Sequence, residues 1–223
     1  MSPREYDESD ARVRPARSTR PRSKDRPSHS SAISALVTGV DRGRQTCVSD
    51  DGVIITAMRA RELGPKSVVV GDRVSIVGDV SGDEGSLARI VSVNERRNSL
   101  SRTVDDAAQV ERTIVANVDQ LVIVVAALNP EPRRGLIDRF LVSAFTEGIT
   151  PKLVVTKTDL GQVPEFLAEY AKLDVEILHT AIKGDSREKD LEALHKMLSG
   201  KISVLVGHSG VGKSTLINAL VPA

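Results

Sequence analysis

Apolar and polar positions divide the chain into three stretches of different rhythm. The first, residues 1–31, has almost no apolar positions and is rich in Ser, Arg and Pro, so it cannot bury enough surface to fold alone. The second, residues 32–94, carries short apolar segments: "AISALVTGV", "QTCVSD", "VIITAMR", "SVVVGDRVSIVG" and "LARIVSVN". Turn signals separate them at Asp41-Arg42-Gly43, Asp50-Asp51-Gly52, Gly64-Pro65, Gly71-Asp72 and Ser81–Gly85. About five strands at this spacing predict a small barrel, the OB type among the choices.

From Thr113 the period changes. "TIVANVDQLVIVVAAL" reads as one buried run, and Ile137 to Phe145 has helical spacing. A strand "PKLVVT", a helix around Phe166, Leu167 and Tyr170, a strand "VEILHT", a helix through Leu191, Leu194 and Leu198, and a strand "ISVLVG" follow. Strands alternating with helices predict a parallel α/β sheet.

Composition narrows the options. The chain has 223 residues, of which 40% are hydrophobic, enough for a core, while aromatics are 2% and Trp is absent. Net charge is +1, so the whole chain favours no acidic partner. The tail differs: from Ala11 to Arg26, Arg12, Arg14, Arg17, Arg20, Arg22, Lys24 and Arg26 face a single acid, Asp25. It reads either as a solvated leader or as an arm meeting RNA phosphates. Cys47 is the only cysteine, which excludes an internal disulfide, suits a reducing compartment and leaves too few thiols for structural zinc. His29, His179, His195 and His208 have no ligand spacing. No apolar signal core opens the chain, and Leu121 to Leu128 is too short to span a bilayer, so the expectation is a cytoplasmic protein without membrane contact. The barrel segment has no Phe, Tyr or Trp on which bases could stack. RNA contact there would go to backbone and shape through Arg42, Arg44, Arg59, Arg61 and Lys66; with eight acids in the same segment, ordinary surface charge is the alternative.

Two motifs carry chemistry. Gly207-His208-Ser209-Gly210-Val211-Gly212-Lys213-Ser214, followed by Thr215, is a phosphate-binding loop between a strand and a helix start. Its glycines let backbone N–H groups turn toward phosphate oxygens, and the helix N-terminus adds positive potential. Lys213 reaches the outer phosphates, and the Ser214 hydroxyl is suited to Mg²⁺. Earlier, Thr156-Lys157-Thr158-Asp159 closes a strand at the end where open α/β sheets bind ligands. A carboxylate at Asp159 accepts from the ring N–H and the exocyclic amine of guanine, whereas adenine would set an acceptor against it. The Lys157 stem can cover a face of the base.

This order of motifs resembles the circularly permuted GTPases. In "VGDRV", "NERRNSLSRT", "IVANVDQLVIVVAAL", "LIDRFLVSAFTEGITPKLVVTKTDL", "LHTAIKGD" and "VLVGHSGVGKSTLINALV" it is similar to the ribosome small-subunit-dependent GTPase A family, RsgA or YjeQ. The resemblance implies an OB-like barrel over 32–94 after a basic tail at 1–31, then a permuted P-loop GTPase domain over 95–223, ending just past the P-loop. It implies a GTP-binding protein and GTP hydrolase of late small-ribosomal-subunit assembly, with GTP/GDP, Mg²⁺, the small subunit and its rRNA as ligands and partners, monomeric when complete. Thr156, where the family usually has Asn, is expected to loosen the anchoring of its loop. Thr180-Ala181 falls on the second base loop, where a backbone N–H would meet the guanine oxygen. The family's switch threonine, its strand ending in Asp-Thr-Pro-Gly and its zinc domain have no counterpart in the 223 residues. The expectation is therefore a fragment or shortened product with weak nucleotide binding, no turnover, and a self-associating edge at Ile202–Val206. An RNA- or ribosome-binding module with a non-hydrolysing GTPase remnant, and an ATP-using P-loop enzyme, are the alternatives. Nothing in the sequence marks a catalytic residue.

If the tail meets RNA, removing residues 1–31 will flatten the salt dependence of RNA or small-subunit binding, since fewer counterions are released, and leave the melting temperature unchanged. An unaltered salt slope would make the tail a leader only.

Overall fold

Strands of period two build the first half. β1 (Ile33–Asp41), β2 (Arg44–Ser49), β3 (Ile54–Arg59), β4 (Arg73–Gly78) and β5 (Ala88–Val93) close into a barrel in the order β1-β2-β3-β5-β4. In β2, Gln45, Cys47 and Ser49 are buried inside while Arg44 and Thr46 face water. Val37, Ile55, Val74, Ile76 and Ile90 fill the interior, β-branched residues that suit a pleated surface. The β1–β2 turn puts Arg42 and Gly43 at φ 42° and 86°, the pair of positive values that a tight hairpin of matching twist requires. The computed structural model describes residues 31–64, 67–103 and 111–221. The expected tail, as far as Ser30, and Lys66 lie outside them.

Two expected strands are divided differently. "SVVVGDRVSIVG" is not continuous: β4 begins only at Arg73, and Val70 makes an isolated parallel bridge to Val115. Gly71, at φ 88°, turns the chain between them; a Cβ there would lie 1.9 Å from the Ala116 carbonyl oxygen. "TIVANVDQLVIVVAAL" is two strands in two sheets. β6 (Ser99–Thr103) and β7 (Glu111–Ala116) form an antiparallel pair, and β8 (Gln120–Ala126) starts a separate sheet. Asn117 makes the break, at φ 54°, a value Asn tolerates better than most residues. Its side chain donates to the Gly71 carbonyl at 2.9 Å and accepts from Arg97 N–H at 2.9 Å.

The second sheet is wholly parallel in the order β10-β9-β8-β11, with β9 (Thr150–Thr156), β10 (Glu176–His179) and β11 (Ser203–Val206). Every residue of β8 is buried, because helices cover both faces. Leu121, Ile123 and Val125 point to one side, with α1 (Arg134–Thr146) and a 3₁₀ helix Glu165–Leu173. Val122, Val124 and Ala126 point to the other, with Leu194 of α2 (Arg187–Leu198) and Leu216 of α3 (Lys213–Leu220). The helix expected around Phe166–Tyr170 is this 3₁₀ helix. Its three-residue repeat aligns Phe166 with Glu169 over one partner. Arg134 lies 4.4 Å from the Phe166 ring centre and grips the Glu169 carboxylate through two bonds of 2.7 and 2.8 Å.

Junction residues tie the pieces together. Fully buried Asp72 accepts from Arg96 Nε at 2.7 Å, Arg96 Nη2 at 2.9 Å and Val69 N–H at 2.8 Å. The Asn98 side chain brackets Val118, accepting from its N–H at 2.8 Å and donating to its carbonyl at 2.9 Å. Asp119 then joins the start of β8 to the start of β11: its Oδ2 accepts from Ile202 N–H at 2.7 Å, its own N–H donates to the Ile202 carbonyl at 2.9 Å, and Oδ1 meets Arg97 Nη2 at 2.9 Å.

The Ile202 N–H, with Arg97 and Lys201 beside it, holds the Asp119 carboxyl below its usual pKa. A carboxyl lowered in the folded state stabilises above its unfolded value of about 4, and that contribution is lost as pH falls through the folded value. Asp119→Asn is therefore expected to be less stable than the parent near neutrality, with a shallower loss of stability below about pH 5. Urea midpoints across a pH series measure this; parallel curves would remove Asp119 as an acid-sensitive link.

Candidate functional site

The strand-to-helix turn after β11 is shaped by backbone clearance. Gly207 has φ 148°, and a Cβ on it would lie 2.2 Å from the Val124 carbonyl oxygen of β8. Gly210 and Gly212 follow at φ 80° and 99°, Gly212 as the N-cap of α3. Val211 is buried in the core, which pins the middle of the loop. Lys213 folds back across the loop, donating from Nζ to the carbonyls of Gly207 at 2.9 Å and His208 at 2.7 Å. His208 and Ser209 are exposed, and His208 Nδ1 sits 2.9 Å from the Ser209 carbonyl, a contact that needs the proton on Nδ1. Ser214 and Thr215 are exposed in the first turn of α3. Such a turn offers backbone donors, a helix N-terminus and an ammonium group to an anion.

The loop after β9 reaches the same place. Thr156 is buried, and its Oγ1 lies 2.5 Å from the Val211 carbonyl oxygen and 3.2 Å from that of Val125. The single hydroxyl proton bonds the nearer oxygen, so Thr156 hooks this loop to the glycine turn 55 residues away. At this position, where looser anchoring was expected, the Thr156 hydroxyl makes a direct link to the Val211 carbonyl. Lys157, at φ 58°, donates from Nζ to the Asn129 carbonyl. Thr158 N–H donates to the Thr180 carbonyl at 3.3 Å. Asp159 is exposed.

A cavity of about 290 Å³ opens between the two loops. It is lined by Thr156, Lys157, Asp159 and Leu160 of the first loop, by Gly210, Gly212, Thr215 and Leu216 of the second, and by Ile182 and Lys183. Of the expected site residues, Thr158, Thr180, Ala181, Gly207, Ser209, Lys213 and Ser214 do not line it. Thr180 is fully buried, with its N–H on the Val155 carbonyl at 2.8 Å, and Ala181 N–H donates to Asp190 Oδ2 at 2.7 Å. The N–H expected to face a base carbonyl is thus already engaged, and Ile182 and Lys183 were not anticipated. His208 and Val211 line a separate small hollow with Pro130–Arg133. A cavity lined both by an acceptor carboxylate and by the glycine turn before a helix suits a ligand with a hydrogen-bonding ring and a phosphate tail. Among the described residues no group of three or more His, Cys, Asp or Glu could hold a metal ion. The Ser214 hydroxyl offers one neutral oxygen, which fits an ion carried mainly by phosphate and water.

The family model for the RsgA GTPase matches residues 93–223. A protein of Chlorobaculum tepidum named small ribosomal subunit biogenesis GTPase RsgA is 35% identical over 201 residues, covering 85% of this chain and 64% of that protein. One of the same name from Gemmatimonas aurantiaca is 37% identical over 163 residues, 71% of this chain and 51% of that protein. The chain thus spans between about half and two thirds of the length of these curated relatives. Among solved structures, YjeQ from Thermotoga maritima aligns with TM-score 0.65 at 28% identity, over 86% of this chain and 66% of that one. YloQ, described as a circularly permuted GTPase, aligns with TM-score 0.61 at 24% identity, over 89% and 67%, and shares the fold.

Replacing Thr156 by Val keeps the shape and removes the buried hydroxyl, leaving the Val211 carbonyl without its partner. Thr156→Val is expected to lower unfolding free energy by about 1–3 kcal/mol, and Thr156→Ser by less than half of that. Equal losses in the two variants, measured by urea denaturation, would mean that the methyl group and not the hydroxyl matters.

Proposed function

Since the chain belongs to the RsgA GTPase family, we propose that it binds GTP and GDP in the cavity between the loop after β9 and the turn before α3, as part of a cytoplasmic GTPase of small-ribosomal-subunit biogenesis. The observation that carries this is the joint lining of one cavity by Asp159 and by Gly210, Gly212 and Thr215. In this reading Asp159 accepts from the ring N–H and amine of guanine, while Lys157 covers the base and Thr156 holds the loop through Val211. Gly207 to Thr215 enclose the phosphates: backbone N–H groups cradle them, and Lys213 exchanges its carbonyl partners for phosphate oxygens. Mg²⁺ would come with the nucleotide, held by the Ser214 hydroxyl and phosphate oxygens, and would offset the charge of the outer phosphates.

The names of the relatives support a role on the small ribosomal subunit. We place that role late in maturation, with nucleotide state timing release, and with rRNA backbone touched by barrel arginines such as Arg42, Arg44, Arg59 and Arg61; residues 32–94 and 95–223 serve as the two domains of this division of labour. Co-sedimentation of the chain with small subunits, stronger with a guanine nucleotide than without, against none with large subunits, is the test of the ribosomal part.

Base choice rests on Asp159. Asp159→Asn should weaken GDP binding by about 2–3 kcal/mol, the scale of a charge-assisted pair of hydrogen bonds, and turn preference toward xanthine nucleotides. Unchanged affinity and selectivity would sink the guanine assignment. Phosphate affinity rests on Lys213: Lys213→Ala should lose at least about tenfold in GDP and GTP affinity, roughly 1.4 kcal/mol. Equal binding by this variant and the parent, in a fluorescent-nucleotide titration, would remove the turn from the site.

A further inference from the structure

One carboxylate gathers the loop that brings Ile182 and Lys183 to the cavity. Asp190, in the first turn of α2, accepts through Oδ2 both the Ala181 N–H and the Ser186 hydroxyl, each at 2.7 Å. Its own N–H returns to the Ser186 carbonyl at 3.0 Å, and Gly184 N–H donates to the Ala181 carbonyl at 2.8 Å. Ala181 thereby has both backbone groups occupied. The next two residues do not: Ile182 and Lys183 line the cavity, and neither N–H bonds a described residue. Gly184 keeps this loop close to Asp159, since a Cβ on it would lie 3.3 Å from the Asp159 Cβ and 3.2 Å from the Ala181 Cβ.

We propose that Asp190 is a positioning residue for the base end of the cavity. By holding the Ala181 N–H it hands the outward donor role to Ile182 and Lys183, beside the Asp159 carboxylate. The inference rests on the reading of the cavity as a guanine site. A donor adjacent to a carboxylate acceptor complements a ring edge that presents a carbonyl next to an N–H and an amine. Asp159 reads the N–H and the amine; the loop tuned by Asp190 reads the carbonyl. Without the Asp190 carboxylate, Ala181 N–H is left without its partner inside the loop, and the turn relaxes toward satisfying it. The donors then lose their fixed direction, while Asp159, on a different loop hooked to the core by Thr156, keeps its own.

Three nucleotides separate these effects. Inosine diphosphate lacks the amine that Asp159 reads. The diphosphate of 6-thioguanosine keeps the N–H and amine but replaces the carbonyl oxygen by sulfur, a weak acceptor. Competition binding of these two and GDP is measured on the parent and on Asp190→Ala and Asp190→Asn. The parent should prefer GDP over the thio analogue about five- to tenfold, the scale of one hydrogen bond. Asp190→Ala should bring that ratio to within about twofold of one while keeping the GDP-to-inosine ratio of the parent. Asp190→Asn, whose amide oxygen still accepts the Ala181 N–H, should retain most of the thio discrimination. A parental thio ratio in Asp190→Ala would overturn the proposal. So would parallel loss of both ratios in both variants, which marks a merely structural role. Failure of the parent to bind any guanine nucleotide would overturn the guanine reading first, and the inference with it.

Discussion

The reciprocal hydrogen bonding of Asp119 with Ile202 sets the register on which the site depends. The two residues are 83 apart in sequence, and together they start β8 and β11 side by side. Gln120 continues the lock: buried, it donates from Nε2 to the Met197 carbonyl at 3.0 Å and to Ser203 Oγ at 2.8 Å, so the end of α2 and the start of β11 are tied to the same strand. Side chains alternate with period two, so a slip of one residue would turn Val204 and Val206 to the wrong face of the sheet.

Correct register at the start of β11 carries through to its end. Val206 pairs with Ile123, and Gly207 passes so close to the Val124 carbonyl that only a residue without Cβ fits. Val211 and Leu216 then anchor the turn and α3 in the core on that face. With the turn held there, the Val211 carbonyl lies 2.5 Å from Thr156 Oγ1, and the two halves of the cavity become one. The glycine turn and the loop after β9 need this chain of contacts, because Val211 and Thr156 are 55 residues apart and no short connection brings the two together.

Much of this was legible in the residues. Alternation marked the barrel strands, unbroken apolar runs marked the parallel sheet, and the glycine turn and Thr156–Asp159 declared themselves through local spacing. What escaped depends on partners far along the chain. The break between β7 and β8 rests on one asparagine whose backbone turns left-handed and whose side chain bonds to the barrel at Gly71; Asn-Val-Asp between two apolar runs was the available hint. Arg96, Arg97 and Asn98 stood in the sequence only as part of the stretch "NERRNSLSRT" and are the joint between barrel and sheet. The 3₁₀ helix hides behind an apolar spacing that α and 3₁₀ forms share over one or two turns. Asp190 resembled any acidic residue at a helix start, since nothing local reveals that its carboxylate returns nine residues to Ala181.

Amide hydrogen exchange on the chain, with and without GDP and Mg²⁺, tests the central claim most directly, since it reports each loop separately. If a guanine nucleotide bridges the cavity, GDP will slow exchange at once in Gly207–Leu216, in Lys157–Leu160 and in Ile182–Lys183, and ADP will not reproduce the last two. Protection confined to Gly207–Leu216, or the same pattern with ADP, would contradict the account, because the loop after β9 would then take no part in choosing the ligand.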